Sequence, residues 1–186
     1  SAVKVQRPAN VELRGSTVVP AELLINLAAA LPGETTLLDK DQQMLRVSSG
    51  TVHTKLTVLQ EEWEPEFVHD LPGFIGSADL KDAIASVQHA AAKSFASGIS
   101  RGVLIEISDD GARVVTTDNS RLALAKIEDA GGIDAKVVTP RDQATSLAKV
   151  FTDAETLKVA VDDAYIYLEG HQAMVKLSLM EGAFPD

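Results

Sequence analysis

The strongest constraint on the fold of this chain is an internal repeat with an offset of about 120 residues. Residues 18–31 resemble residues 137–151: in each, a short apolar run precedes a proline and about three helical turns. The resemblance continues in three downstream pairs of segments: 33–37 with 153–157, 44–50 with 164–170, and 54–59 with 175–180. Each copy reads as a strand, a helix and three strands in hairpins.

The region between the two copies supplies the other half of a unit. Residues 74–75 predict a short strand, and residues 79–92 predict an amphipathic helix. Strands are predicted at 103–107, 114–116 and 122–127, with Asp109-Asp110-Gly111 as a hairpin turn. We therefore predict an α+β fold in which duplicated units of two helices pack on antiparallel sheets. Residues 71–186 are predicted to form one full domain, and residues 1–70 the second half of an equivalent domain.

The composition excludes several classes of protein. With no cysteine, the chain has neither disulfides nor thiolate metal sites. No apolar run approaches the roughly 18 residues of a membrane span, and no signal-peptide pattern is present. A cytoplasmic protein without a membrane partner is expected. The net charge of −10 argues against a broad basic surface that grips nucleic acid, so the positions of the basic residues matter more than their sum.

No catalytic or cofactor motif is present. The chain has no GxxxxGK[ST] or GxGxxG loop, and its four histidines lack metal-ligand spacing. The paired acids Asp109-Asp110 and Asp162-Asp163 are predicted to be hairpin turns, and Trp63 is predicted to anchor a linker. We expect no cofactor, no metal and no catalytic residue, which favours a binding or scaffolding protein.

One motif resembles a known family. Residues 102–107 read as a strand. The motif Thr116-Thr117-Asp118-Asn119-Ser120-Arg121-Leu122-Ala123 covers the end of the next strand, a short turn and the start of the strand after it. In this order, and with the closing Phe184-Pro185-Asp186, the pattern resembles the central domain of the bacterial DNA polymerase III β subunit, the sliding clamp. The resemblance covers essentially the whole chain, and its register agrees with the repeat. It implies that residues 1–70 are the C-terminal half of the first clamp domain and 71–186 the central domain, with the third domain absent.

The resemblance implies a function in DNA replication. Members of the family are non-catalytic processivity factors that close as head-to-tail homodimers around duplex DNA and tether the replicative polymerase. Helices at 20–31, 79–92 and 140–151 would line the ring. The basic residues implied to face DNA are Lys81, His89, Lys93, Arg141 and Lys149.

The resemblance also implies a pocket for short peptide motifs of the polymerase and the clamp loader. The positions that match its wall in the central domain are Thr117, Asn119, Ser120, Arg121, Leu122 and Pro185. Asn119-Ser120 stands where many members have Gly-His, and Ser100 stands where a larger apolar residue is common, so peptide preference is expected to differ. Two alternatives stay open: a clamp-like interaction module that does not bind DNA, and an acidic α+β enzyme that uses Asp118 and Arg121.

Overall fold

The computed structural model describes residues 1–32, 35–60, 65–92, 98–151 and 155–185. It divides the chain into two compact units, one of Ser1–Pro8 with Glu66–Asp186 and the other of Ala9–Pro65. The division places the first eight residues with the larger unit, which the sequence-based boundary after residue 70 does not anticipate. The assignment of residues 1–70 and 71–186 to particular clamp domains stays a prediction. Trp63 and Lys93 lie outside the described residues.

In the described chain, each of three α-helices has one or more consecutive strands before and after it. In order they are β1 (Ala2–Val5), α1 (Ala21–Ala30), β2 (Leu37–Lys40), β3 (Met44–Ser49), β4 (Val52–Thr57), β5 (Gly73–Gly76), α2 (Ser77–Val87), β6 (Gly102–Ser108), β7 (Gly111–Thr117), β8 (Leu122–Ile127), β9 (Ala130–Gly131), β10 (Ala135–Pro140), α3 (Arg141–Ser146), β11 (Thr156–Val161), β12 (Tyr165–Glu169) and β13 (Ala173–Ser178). Short 3-10 turns at Gln88–Ala90, Ile99–Arg101 and Leu147–Lys149 follow α2, precede β6 and follow α3.

Two antiparallel sheets and two helices form the larger unit. One sheet has the strand order β1-β13-β12-β11-β5-β9, and the other has the order β10-β6-β7-β8. Apolar side chains from both sheets share one core with the buried faces of α2 and α3. This core removes from water the apolar faces that alternation along the strands had predicted. The predicted α+β fold with helices on antiparallel sheets is confirmed.

The helices begin close to the predicted positions but contain fewer α-helical turns. Pro20 and Pro140 occupy the N-cap positions of α1 and α3, as the sequence predicts from the fixed φ of proline. The helix α2 begins two residues before the predicted start at 79, because Gly76 takes the extended N-cap conformation. The last turns of the predicted helices 79–92 and 140–151 are 3-10 turns.

The smaller unit is a three-stranded antiparallel sheet, β2-β3-β4, with α1 beside it. Among its described residues, the buried apolar core consists of Leu45, Val47, Leu56 and Val58, against which Val19, Leu27 and Leu31 of the α1 region pack. No residue of α1 is fully buried. The unit therefore leaves much of its apolar surface exposed to solvent.

A shared turn fixes the alignment of the two repeat copies. Asp41 Oδ1 accepts hydrogen bonds from the backbone N–H groups of Gln43 and Met44, at 3.1 and 2.9 Å. Asp162 Oδ1 does the same for Ala164 and Tyr165, at 2.8 and 2.7 Å. Such side-chain acceptors nucleate tight turns.

The aspartate turns correct the alignment of one segment. They set Met44 against Tyr165, an offset of 121, so the sequence-based match of Met44 with Ala164 was wrong by one residue. The sheet registers agree with the corrected offset, because Leu38 pairs with Val47 and Val159 with Leu168.

Candidate functional site

The outer face of the sheet β10-β6-β7-β8 carries the predicted peptide-binding residues. Strand alternation directs Val103, Ile105 and Ile107 into the core and turns Leu104 and Glu106 outwards. On the edge strand β8, the outward apolar side chains are Leu122, which is 56% exposed, and Leu124, which is 46% exposed. Two neighbouring exposed leucines on a strand form an apolar surface that a partner side chain could cover.

The turn between β7 and β8 holds four of the predicted pocket residues in one rigid loop. Asn119 has a positive φ of 71°, which an asparagine tolerates better than most residues. The Thr117 hydroxyl donates to the Arg121 carbonyl at 2.8 Å and accepts from the Asn119 N–H at 3.1 Å. Ser120 is exposed at the tip. These bonds present Leu122, at the start of β8, in a fixed position.

Asp118 stabilises the same turn, and both of its carboxylate oxygens have partners there. Its carboxylate accepts from the N–H groups of Ser120 and Arg121 and pairs with the Arg121 Nε at 3.1 Å. The Ser120 N–H is the largest of the contacts that hold the pKa of Asp118 below its ordinary value, with the Arg121 contacts adding to it. Asp118 and Arg121 therefore have a structural use that requires no catalysis.

The segment after β13 brings Pro185 to the same face. Phe184 is buried against Leu104, Val115 and Val138, all of which point outwards from this sheet. Pro185, next in the chain, is exposed. The structure thus brings Pro185 to the face that carries Thr117 and Leu122. Ser100 is buried in the 3-10 turn before β6, and its neighbour Ile99 packs against this same cluster.

Sequence reasoning missed Leu124 as a member of this face. The signal was available, because Leu124 lies two residues after Leu122 on a strand, and side chains two apart point to the same side. The motif drew attention to the turn and not to the strand that follows it.

The four predicted DNA-facing residues that the structure describes lie on α2, on α3 or in the 3-10 turns that follow them, and they differ in exposure. The Lys81 Nζ donates to the Phe151 carbonyl at 2.9 Å, so it ties α2 to the end of the helical segment after α3. Arg141 lies 3.3 Å from the Asp142 carboxylate, and its side chain is 34% exposed. Lys149 and His89 are exposed. Of the four that are described, Lys149 is the most available to a phosphate.

Arg101 is a basic residue on this side of the unit that sequence reasoning did not select. Arg101 and Arg141 line one cavity of about 190 Å³ with Ala92, Pro140, Asp142 and Met180. Two guanidinium groups beside one carboxylate give this cavity a net positive charge. No sequence signal links the two arginines, because β6 to β10 separate them along the chain.

The helices as a whole carry little net charge. Within α1, α2, α3 and the 3-10 turns that follow α2 and α3, the basic residues are Lys81, Arg141 and Lys149, and the acidic residues are Glu22, Asp79, Asp82 and Asp142. Any attraction of DNA to these helices would therefore be weak and local.

Among the described residues, no group of three or more histidine or acidic side chains could hold a metal ion. No helix in the described part of the chain is both long and apolar enough to cross a membrane.

Known proteins share both the sequence and the fold of this chain. The family model described as the central domain of the DNA polymerase III beta subunit matches residues 75–186. The beta sliding clamp of Pseudomonas putida is 28% identical over 99% of this chain and 51% of its own length. The beta sliding clamp of Vibrio cholerae is 26% identical over 92% of this chain and 49% of its own length.

Solved structures give the same result for the fold. The beta chain of DNA polymerase III from Streptococcus pneumoniae superposes with a TM-score of 0.79 at 26% identity, over 92% of this chain and 48% of that one. The beta subunit from Thermotoga maritima superposes with a TM-score of 0.85 at 23% identity, over 99% and 52%. The chain spans about half the length of these relatives. By its central-domain sequence, its repeat and its fold, the chain belongs to the DNA polymerase III beta subunit family.

Proposed function

We propose that this chain is part of a DNA sliding clamp. In this proposal, a head-to-tail homodimeric ring encircles duplex DNA without reading its sequence. Short peptide motifs of the replicative polymerase and the clamp loader bind the outer face of the sheet β10-β6-β7-β8. The chain performs no chemistry, and the ring works in the cytoplasm as a mobile tether.

The observation that carries this proposal is the pairing of β1 with β13. The first residues of β1 and α1 are 19 residues apart, and so are those of β8 and α3. In the repeat, β1 is therefore the counterpart of β8. It pairs antiparallel with β13 over four residues, from Ala2 opposite Lys176 to Val5 opposite Ala173.

The same pairing provides a rule for assembly. A strand of the β8 type docks on the β13 edge of the unit that follows it. Among the described residues, β8 is itself an edge strand whose outer side has no partner strand. Open strand edges readily pair with further strands. The rule, applied to β8, supports a head-to-tail series of units, which closes into a ring when the rotation permits.

An exposed apolar residue supports the prediction that residues 1–70 are the C-terminal half of a clamp domain. Leu38 pairs with Val47 on the next strand, and Val159 pairs with Leu168 on the next strand. Because both pairs are related by the offset of 121, Leu38 and Val159 occupy the same repeat position. Val159 is completely buried in a core shared with α2, whereas Leu38 is 60% exposed. The smaller unit thus offers the apolar surface that an α2-type half would cover.

The acidic charge of the chain is compatible with this function. A ring retains DNA because it is closed, and sliding needs only weak contacts with the phosphate backbone, which carries no sequence information. Arg101 and Arg141 at their shared cavity, together with the exposed Lys149, supply a small number of such contacts. A strongly basic lining would instead slow the movement of the clamp.

The near-neutral helices also favour a second candidate, a clamp-like interaction module that does not bind DNA. Electron microscopy of the whole protein that carries these 186 residues separates ring from non-ring architectures. The sliding clamp requires closed rings with an opening that admits a double helix. Compact particles without an opening would contradict it, and rings that never hold DNA would favour the interaction module.

A further inference from the structure

A row of charged side chains crosses the outer face of the sheet β10-β6-β7-β8, next to the exposed leucines. Strand register aligns Lys136 with Glu106, Glu106 with Arg113, and Arg113 with Lys126. All four point away from the core, because their neighbours along each strand point into it. The row contains three cations and one carboxylate, in a chain whose net charge is −10.

The single carboxylate in this row cannot neutralise all three cations. Glu106 Oε2 lies 2.7 Å from Arg113, and its Oε1 lies 3.1 Å from Lys136, so both oxygens are occupied. The Arg113 side chain is still 56% exposed, and that of Lys136 is 60% exposed. Lys126 is exposed, and no carboxylate of a described residue lies within 4 Å of it. The end of the row at β7 and β8 therefore keeps a positive charge.

An apolar row runs parallel to this charged row. Val138, Leu104, Val115 and Leu124 lie opposite one another across the same four strands. Each lies two residues along its strand from a member of the charged row, a spacing of about 6.5–7 Å. Phe184 covers the β10 side of the apolar row and leaves Leu124 exposed.

A cavity connects the two rows on the β10 side. It measures about 270 Å³, and its lining residues are Leu104, Lys136, Val138, Gly182, Ala183 and Phe184. Lys136 is the only charged member of this lining. A side chain bound in this cavity would contact apolar residues on one side and the Lys136 ammonium group on the other.

We propose that this face recognises an extended partner segment in which an aspartate or glutamate lies about two residues from an apolar anchor. The anchor contacts Leu122 and Leu124, and the carboxylate contacts Arg113 and Lys126. This inference rests on the proposed peptide-binding function and specifies the chemistry of the partner. The adjoining leucines favour a peptide over a phosphate backbone, because exposed apolar surface adds nothing to the binding of a phosphate.

Selection from a random heptapeptide library tests this proposal even though the partner is unidentified. Three forms of the chain are immobilised: the wild type, Leu122→Asp, and the double variant Arg113→Gln/Lys126→Gln. We expect peptides selected on the wild type to be enriched in acidic residues and lost on Leu122→Asp. On the double variant the acidic enrichment should disappear while the apolar residues remain. Lys158→Gln, which removes an exposed lysine on β11, is the matched control and should select the same peptides as the wild type.

Titration of one selected peptide then measures the size of the effect. Replacing its acidic residue with the corresponding amide should weaken binding to the wild type about two- to fivefold, the range of an exposed ion pair. On the double variant the two peptides should bind equally. The difference on the wild type should shrink as salt is added.

Each other outcome overturns a defined part of the proposal. If selection depends on Leu122 but the acidic content is equal on both surfaces, the charge preference is wrong and peptide binding stands. If the selected peptides do not require Leu122, the peptide-binding face fails, and this inference fails with it. If a duplex oligonucleotide displaces the peptides and its own binding is lost in the double variant, the row is a nucleic-acid contact instead.

Discussion

Val3 of β1 lies opposite Val175 of β13, in the middle of the ladder that ties the first residues of the chain to the larger unit. The Gln6 N–H donates to the Gln172 carbonyl at 2.8 Å just beyond this ladder. Since hydrogen-bonded pairs alternate in antiparallel sheets, Lys4 and Met174 form a hydrogen-bonded pair, and Val3 and Val175 do not. The N–H of Val3 therefore points away from β13.

This alternation predicts that a proline at position 4 destabilises the pairing of β1 with β13 and that a proline at position 3 does not. Lys4→Pro removes a donor to β13 and should destabilise the docking of β1 by about 1–3 kcal/mol. Amide hydrogen exchange of Met174 and Lys176, whose N–H groups face β1, reports the loss. Their exchange should accelerate, while that of Val175, which bonds to β12, should change little.

Val3→Pro is the matched control, because its N–H has no partner in the ladder. Exchange at Met174 and Lys176 should stay close to the wild type. Equal acceleration by both prolines would mean that the register of β1 on β13 is wrong, and the rule of assembly would lose its basis.

Charge placed among the exposed leucines should abolish peptide binding. Leu122→Asp, or Leu124→Asp, puts a carboxylate where we propose an apolar anchor packs, and each should weaken binding of a clamp-binding peptide by about 30-fold or more. Fluorescence anisotropy in the whole protein measures the affinity. Both residues are exposed, so folding and ring formation should persist.

Leu13→Asp provides the control for this pair, since Leu13 is 91% exposed in the smaller unit and outside the proposed face. It should leave peptide affinity unchanged. Unaltered affinity in Leu122→Asp would remove the turn and β8 from the peptide site.

Charge reversal at the cavity between Arg101 and Arg141 should weaken contact with DNA. Arg101→Glu, Arg141→Glu and Lys149→Glu should each reduce retention on circular DNA. For direct binding to a duplex, each lost phosphate contact should reduce the magnitude of the slope of log K against log salt by about 0.9. Lys158→Glu, on the six-stranded sheet, should have no effect. If retention is unchanged in all three variants, these residues do not contact DNA.

A tyrosine–aspartate pair predicts a loss of stability at high pH. The Tyr167 hydroxyl donates to Asp162 Oδ2 at 2.7 Å, and burial together with this carboxylate raises the pKa of Tyr167 to about 12. Because the folded form holds this proton more tightly than the unfolded form, stability should fall as pH rises from about 10 to 12. Urea unfolding of wild type and Tyr167→Phe over this range measures it. The variant should lack this part of the decline, and identical curves would contradict the assignment.

The elements of the fold could be predicted where local rules determine them. The prolines at positions 20 and 140 set the helix starts, and the alternation of apolar residues set the strands. The alignment of Met44 with Ala164 was wrong by one residue, because similar apolar runs align almost equally well at an offset of 120 or 121. The hydrogen bonds of Asp41 and Asp162, together with the strand registers, determine the correct one.

The site was predicted less completely, because it depends on which strands become neighbours. The motif indicated the turn from Thr117 to Leu122, which is a local feature. Two features combine distant parts of the chain. One is the charged row of Glu106, Arg113, Lys126 and Lys136, and the other is the cavity that Arg101 and Arg141 line together. A single sequence contains no signal for such non-local contacts until the strand order is known.

Retention on DNA tests the central claim of a topological tether most directly. The whole protein that carries these 186 residues is loaded onto a nicked circular plasmid, and its release is followed before and after a restriction enzyme linearises the DNA. A ring that slides should remain on the circle and leave the linear molecule within the time needed to reach an end. Equal release from both forms would contradict the sliding clamp and indicate binding through surface contacts alone.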